Sequence, residues 1–150
     1  MKLVKEHINE FIKARGIFPL RYIPPFEGNI NLSGKNITEL PKNLPKKITG
    51  GFYCHNTKIT SLVGALESVG GSFSCYNTKI TSLEGAPESV GGDFSCKNTK
   101  ITSLVGAPES VGRSFDCQNT KVTKEEVERY FETGAVRGTI YSDYGEYKRR

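Results

Sequence analysis

A chain of 150 residues has room for one domain or for one short repeat array with its caps. Only 36% of it is hydrophobic while 16 residues are glycine, a balance that argues against long helices and for many tight turns. The net charge of +5 is mild and partly local to the closing Lys148, Arg149 and Arg150. No stretch reads as a signal peptide or a membrane span, so a soluble, cytoplasmic protein is expected.

The first element is helical. Leu3, Val4, His7, Ile8, Phe11 and Ile12 fall at helical spacing, with Lys2, Lys5, Glu6, Glu10 and Lys13 elsewhere on the turn. Gly16 stops the helix, and "IFPLRYIPPF" then runs extended. Residues 1–27 read as an N-terminal cap, with a partner or membrane contact as the functional alternative for the helix.

From residue 28 to residue 122 the chain repeats itself. Cys54, Cys75, Cys96 and Cys117 stand 21 residues apart, as do Phe52, Phe73, Phe94 and Phe115, and Ile59, Ile80, Ile101 and Val122. A degenerate copy comes first, in "NINLSGKNITELPKNLPKKI", whose step from Leu32 to Cys54 is 22. Self-similarity at this period is the mark of a solenoid, whose units bury their apolar edges only against their neighbours. Within a unit, Phe73 and Cys75 alternate with Ser74, predicting a short strand with Phe73 and Cys75 facing inward. Ile80 and Leu83 point in from an irregular arc, Pro87 interrupts it, and Val90 closes the coil before a Gly-Gly turn. Stacked units place equivalent residues about 4.8 Å apart.

After the repeats, "TKEE" from Thr123 to Glu126 is a capping box opening a helix that runs to about Thr133. Val127, Tyr130 and Phe131 form its buried stripe and Gly134 its stop, and "VRGTIYSDYGEY" predicts one or two short strands. Residues 123–150 are thus a C-terminal cap, and the whole is a single α+β domain with a parallel sheet.

The unit resembles the leucine-rich repeat, L-x-x-L-x-L-x-x-N-x-L. Phe73 and Cys75 take the two strand leucines, Thr78 the usual asparagine, and Ile80 and Leu83 the leucines that follow. The sequence departs from that pattern at Thr78 and where Val-Gly-Gly replaces the first leucine, which leaves the width of the coil open; the preceding Asn56, Asn77, Asn98 and Asn119 are candidates for the turn hydrogen bonds. With its "KLVKEHINEF" opening and "EEV…VRGTIY" ending, the chain is also similar to small repeat proteins of tailed bacteriophages, which implies a setting in host cytoplasm rather than a mechanism.

Four cysteines invite a metal or a disulfide. A row of thiols at one ladder position spans about 14 Å, three rungs of a parallel sheet, whereas zinc draws its ligands to within about 2.3 Å of one point. Neighbouring thiols are close enough to bridge, but a reducing cytosol and their inward direction disfavour it. Buried free thiols packing as small hydrophobes are expected, with no metal and no cofactor.

Copies of one unit differ mainly on the strand. Before the phenylalanine stand Gly51, Ser72, Asp93 and Ser114; between phenylalanine and cysteine Tyr53, Ser74, Ser95 and Asp116; after the cysteine His55, Tyr76, Lys97 and Gln118. Alternation turns the last two sets away from the core, onto the open sheet face, and the resemblance to leucine-rich repeats implies that this face is concave and binds partners. Tyr53, His55, Ser74, Tyr76, Asp93, Ser95, Lys97, Asp116 and Gln118 are therefore the candidate partner-binding residues, aromatics for affinity and charges for selectivity, against drift at tolerant exposed positions.

Two charged columns are constant: Lys58, Lys79, Lys100 and Lys121, and Glu67, Glu88 and Glu109. The lysines could track a nucleic-acid backbone, but the glutamates dilute their field and rank nucleic acid behind a protein partner. Catalysis needs unequal groups converging in a pocket, and this chain offers equal groups on a line, so no enzyme is expected. The leading expectation is a protein-binding module acting on a host protein. A nucleic-acid binder and a virion or assembly component are the alternatives, with oligomeric state open.

Overall fold

A computed structural model describes residues 26–149. The expected N-terminal helix lies outside these residues. The chain winds into a parallel-sheet solenoid of five coils, mostly β, closed at its C-terminal end by one helix and a short antiparallel strand pair. Every coil gives a two-residue strand to a first sheet, and four of the five give another to a second. The first sheet holds β1 (Ile30–Asn31), β3 (Phe52–Tyr53), β5 (Phe73–Ser74), β7 (Phe94–Ser95) and β9 (Phe115–Asp116), in register and parallel. It continues through parallel β10 (Ile140–Ser142) to antiparallel β11 (Gly145–Tyr147).

The second sheet, β2 (Lys47–Ile48), β4 (Ser68–Val69), β6 (Ser89–Val90) and β8 (Ser110–Val111), is a feature the sequence did not disclose. Val90 does close the coil, but as half of a strand, and a two-residue strand is too short for alternation to reveal. A sparser third ladder runs along the arc, where the Lys79 N–H donates to the Ile59 carbonyl at 2.9 Å and its equivalents repeat the bond. Pro87 is buried rather than merely interrupting the arc.

Stacked identity makes the core. The rings of Phe52, Phe73, Phe94 and Phe115 lie nearly parallel, with successive centroids 5.4, 5.2 and 5.1 Å apart. Cys54, Cys75, Cys96 and Cys117 are free and buried beside them, and three thiols donate to carbonyls of the next coil: Cys75 to Ser95, Cys96 to Asp116 and Cys117 to Tyr141. Tyr130 ends the stack, its ring tilted 59° against Phe115 at 4.9 Å and its hydroxyl donating to the Pro108 carbonyl at 2.7 Å.

The turn after each cysteine divides the work between two side chains. Asn56, Asn77, Asn98 and Asn119 adopt left-handed backbone, φ between 52° and 57°, a conformation asparagine tolerates better than most residues. The following Thr57, Thr78, Thr99 and Thr120 donate their hydroxyls to the cysteine carbonyl three residues back, at 2.7–2.8 Å. Threonine, not asparagine, thus closes the turn. The asparagine amides instead link coil to coil, Asn77 donating to Asn56 at 2.8 Å and Asn119 to Asn98 at 2.5 Å.

The opposite corner depends on absent side chains. A Cβ on Gly70, Gly91 or Gly112 would lie 2.2–2.3 Å from the carbonyl oxygen of Thr49, Gly70 or Gly91 in the preceding coil. Only glycine lets the backbones approach so closely.

The C-terminal helix, Lys124–Glu132, follows an N-cap at Thr123, whose hydroxyl accepts from the Glu126 N–H at 3.3 Å. The other half of the expected capping box goes elsewhere. The Glu126 carboxylate accepts from the part-buried Leu104 N–H at 2.5 Å, satisfying a donor that the coil itself leaves without a partner. Val127 and Tyr130 are buried, Phe131 packs at their edge, and Gly134 turns the chain with φ 75°.

Candidate functional site

The outward residues of the first sheet form two neighbouring columns. In the one after the cysteines, His55 stacks flat on Tyr76 with centroids 4.4 Å apart and planes 6° from parallel. Tyr53 meets His55 edge-on at 6.2 Å, and the Lys97 ammonium lies over the Tyr76 ring, 5.4 Å from its centroid. Four candidates from three coils thereby become one continuous patch. Tyr53 reaches this position by folding back over Gly51, where a Cβ would sit 2.3 Å from the tyrosine hydroxyl. Glycine at 51, the departure from Ser72 and Ser114 in the same column, leaves that room.

Register sets the second column: Tyr53 pairs with Ser74, Ser74 with Ser95, Ser95 with Asp116, and Asp116 with Tyr141. Where this column reaches Ser95 and Asp116, an open groove of about 490 Å³ lies against the sheet. Of the candidates, Tyr76, Asp93, Ser95, Lys97 and Asp116 line it, joined by Arg113 and Tyr141. The Ser95 hydroxyl is buried without a hydrogen-bond partner among the described residues.

Two of the candidates are less open than alternation implies. Ser74, expected on the open face, is only 8% exposed. Asp93 is half-buried and braces the coils. Its carboxylate accepts from the Ser114 N–H at 2.9 Å, just as Ser72 accepts from the Asp93 N–H at 3.0 Å and Asn29 from the Gly51 N–H at 2.6 Å. Polar variety in this column therefore reflects interchangeable acceptors. Asp116 accepts from the Gln118 N–H at 3.0 Å, and Gln118 is exposed beyond the groove.

Sequence reasoning missed Tyr141 and Arg113. Tyr141 joins the column only because β10 returns to the sheet after the helical excursion, 25 residues beyond Asp116 where a coil takes 21. The period could not place it, though the alternation in "TIYSDY" was a signal.

At His55 the patch favours the neutral ring. Burial holds the His55 imidazole below its usual range, and its Nδ1 is enclosed without a partner. On the core side of the strand, burial raises the thiols well above their ordinary range, with Cys117 pushed up to about 12, so none is a poised nucleophile. Among the described residues no three His, Cys, Asp or Glu side chains gather as metal ligands, and no helix is long and apolar enough to cross a membrane.

Comparison with protein families, with curated proteins and with solved structures finds no match.

Proposed function

We propose that this protein is a protein-binding module that recognises its partner through the open face of the first sheet. The observation that carries the reading is the His55–Tyr76–Lys97 patch beside the Ser95 groove. Aromatic rings already fixed by mutual stacking lose little freedom when a partner covers them, which is the character of an interface hot spot. The adjoining groove offers a place for one inserted side chain, between Tyr76 and Tyr141. The resemblance to small bacteriophage repeat proteins makes the partner a host protein, a defence or regulatory factor that the module blocks.

The test is a paired affinity purification from bacterial lysate with the wild type and with Tyr53→Ala/Tyr76→Ala, both shown to melt cooperatively. A partner retained by the wild type and lost with the variant supports the reading. Equal recovery from both removes it.

A further inference from the structure

The stacking of coils also lines up Lys58, Lys79, Lys100 and Lys121 on the arc side of the asparagine turn. Each backbone N–H is fixed in the third ladder, Lys58 donating to Ile37, Lys79 to Ile59, Lys100 to Ile80 and Lys121 to Ile101. All four residues are exposed. None is ion-paired among the described residues, where the pairs are Lys46–Glu67, Lys124–Glu128 and Lys148–Glu146. Three rungs put the row at about 14 Å from end to end.

What borders the row matters as much as the row. On one side the exposed asparagines present a second line of hydrogen-bonding groups. On the other come the exposed hydroxyls of Thr60, Thr81 and Thr102. The glutamate column that diluted the field in sequence stands at the entry to the strands of the second sheet, where the Glu67 and Glu88 backbones both donate and accept between coils. Asp143, which accepts from the Asn119 N–H at 2.8 Å, is an acid at the C-terminal end of the asparagine line. A straight file of unpaired cations flanked by neutral donors complements a linear chain of anions better than the broad plane of a membrane surface.

We propose that this edge is a second binding surface, which grips the phosphodiester backbone of a nucleic-acid strand through Lys58, Lys79, Lys100 and Lys121. It is separate from the aromatic face and does not rest on the protein-binding reading. Contacts of this kind are sequence-independent and release counterions, so affinity falls with salt in proportion to the lysines engaged.

The experiment is the salt dependence of fluorescence anisotropy with a labelled oligothymidylate, starting at about 50 mM salt, where backbone contacts are strong. Two variants of equal charge are compared: Lys79→Gln/Lys100→Gln in the row, and Lys42→Gln/Lys47→Gln outside it. On a single strand each phosphate contact contributes about 0.7 to the slope of log affinity against log salt, so the row variant should flatten it by about 1.4. The control pair should leave the slope near that of the wild type. Equal flattening by both pairs would mean attraction by net charge alone and overturn the row. Absence of binding at the lowest salt overturns it too, as does binding to anionic lipid vesicles with none to the oligonucleotide.

Discussion

The imidazole of His55 lies flat on the phenol of Tyr76, 4.4 Å between centroids, although the two residues are 21 positions apart and belong to different coils. The relationship exists because parallel register carries each residue onto its equivalent one rung along. It makes the patch a property of the stack rather than of either unit.

Removing Tyr76 therefore tests the stack directly. Tyr76→Ala should cost about 1 kcal/mol of stability, the usual worth of an aromatic pair at a half-exposed site, as read by chemical denaturation. Tyr53→Ala, which removes only an edge contact, should cost less. A loss of several kcal/mol from Tyr76→Ala would make that ring core rather than surface.

Acid should loosen the same place. The folded His55 pKa lies below that of the unfolded chain, near 6.5, because burial disfavours the imidazolium. Between the two values the unfolded state binds more protons, so the contribution is complete above about 6.5 and is lost as pH falls through the folded value. NMR titration of the His55 ring should give a midpoint below 6.5, moving up toward it in Tyr76→Ala. A midpoint above 6.5 in the wild type would contradict the enclosure of Nδ1.

Two glycine substitutions should fail for different reasons. Gly91→Ala drives a methyl to 2.2 Å from the Gly70 carbonyl, backbone against backbone, and should cost about 3 kcal/mol, the upper end for overpacking. Gly64→Ala meets nothing within 4 Å but holds φ at +93°, so its cost is conformational alone, about 1 kcal/mol. Thermal melts of the two variants should rank in that order.

The thiols should be silent until the coil opens. With four buried sulfhydryls whose ionisation burial opposes, the folded protein should resist a disulfide reagent at mildly alkaline pH, and all four should react in denaturant. Rapid labelling of the native protein would show that the row is accessible.

At the C-terminal end, Glu126→Ala leaves the Leu104 N–H without its acceptor and should cost about 1–3 kcal/mol, the penalty of an orphaned donor. Glu126→Gln keeps an oxygen in place and should recover most of it. Thr123→Ala should cost about 1 kcal/mol as a lost N-cap.

The solenoid was legible because its signal is redundant: phenylalanine, cysteine and isoleucine each repeat the same step, and alternation at Phe73–Cys75 gave the inward face. The second sheet was not, since Ser89–Val90 is too brief to show a period. On the open face, alternation correctly turned Tyr53, His55, Tyr76 and Lys97 outward. It could not tell that Ser74 would be covered, because alternation gives a direction and not an exposure, nor that Asp93 would spend its carboxylate on the next backbone. Tyr141 and Glu126 escaped for one reason. Both act on the repeats from outside them, and a period says nothing about what breaks it.

The phenylalanine ladder has one more implication. Because the Phe73–Phe94 and Phe94–Phe115 junctions are nearly superimposable, any inner coil can be excised at whole-unit length without exposing a mismatched seam. Cutting out residues 77–97 would splice Tyr76 to Asn98, keep the C-terminal helix and strand pair, and bring the aromatic pair next to the rung of Asp116 and Gln118. Length in this molecule is thus a ruler graduated in coils, along which the spacing between recognition groups can be reset while the interior stays the same.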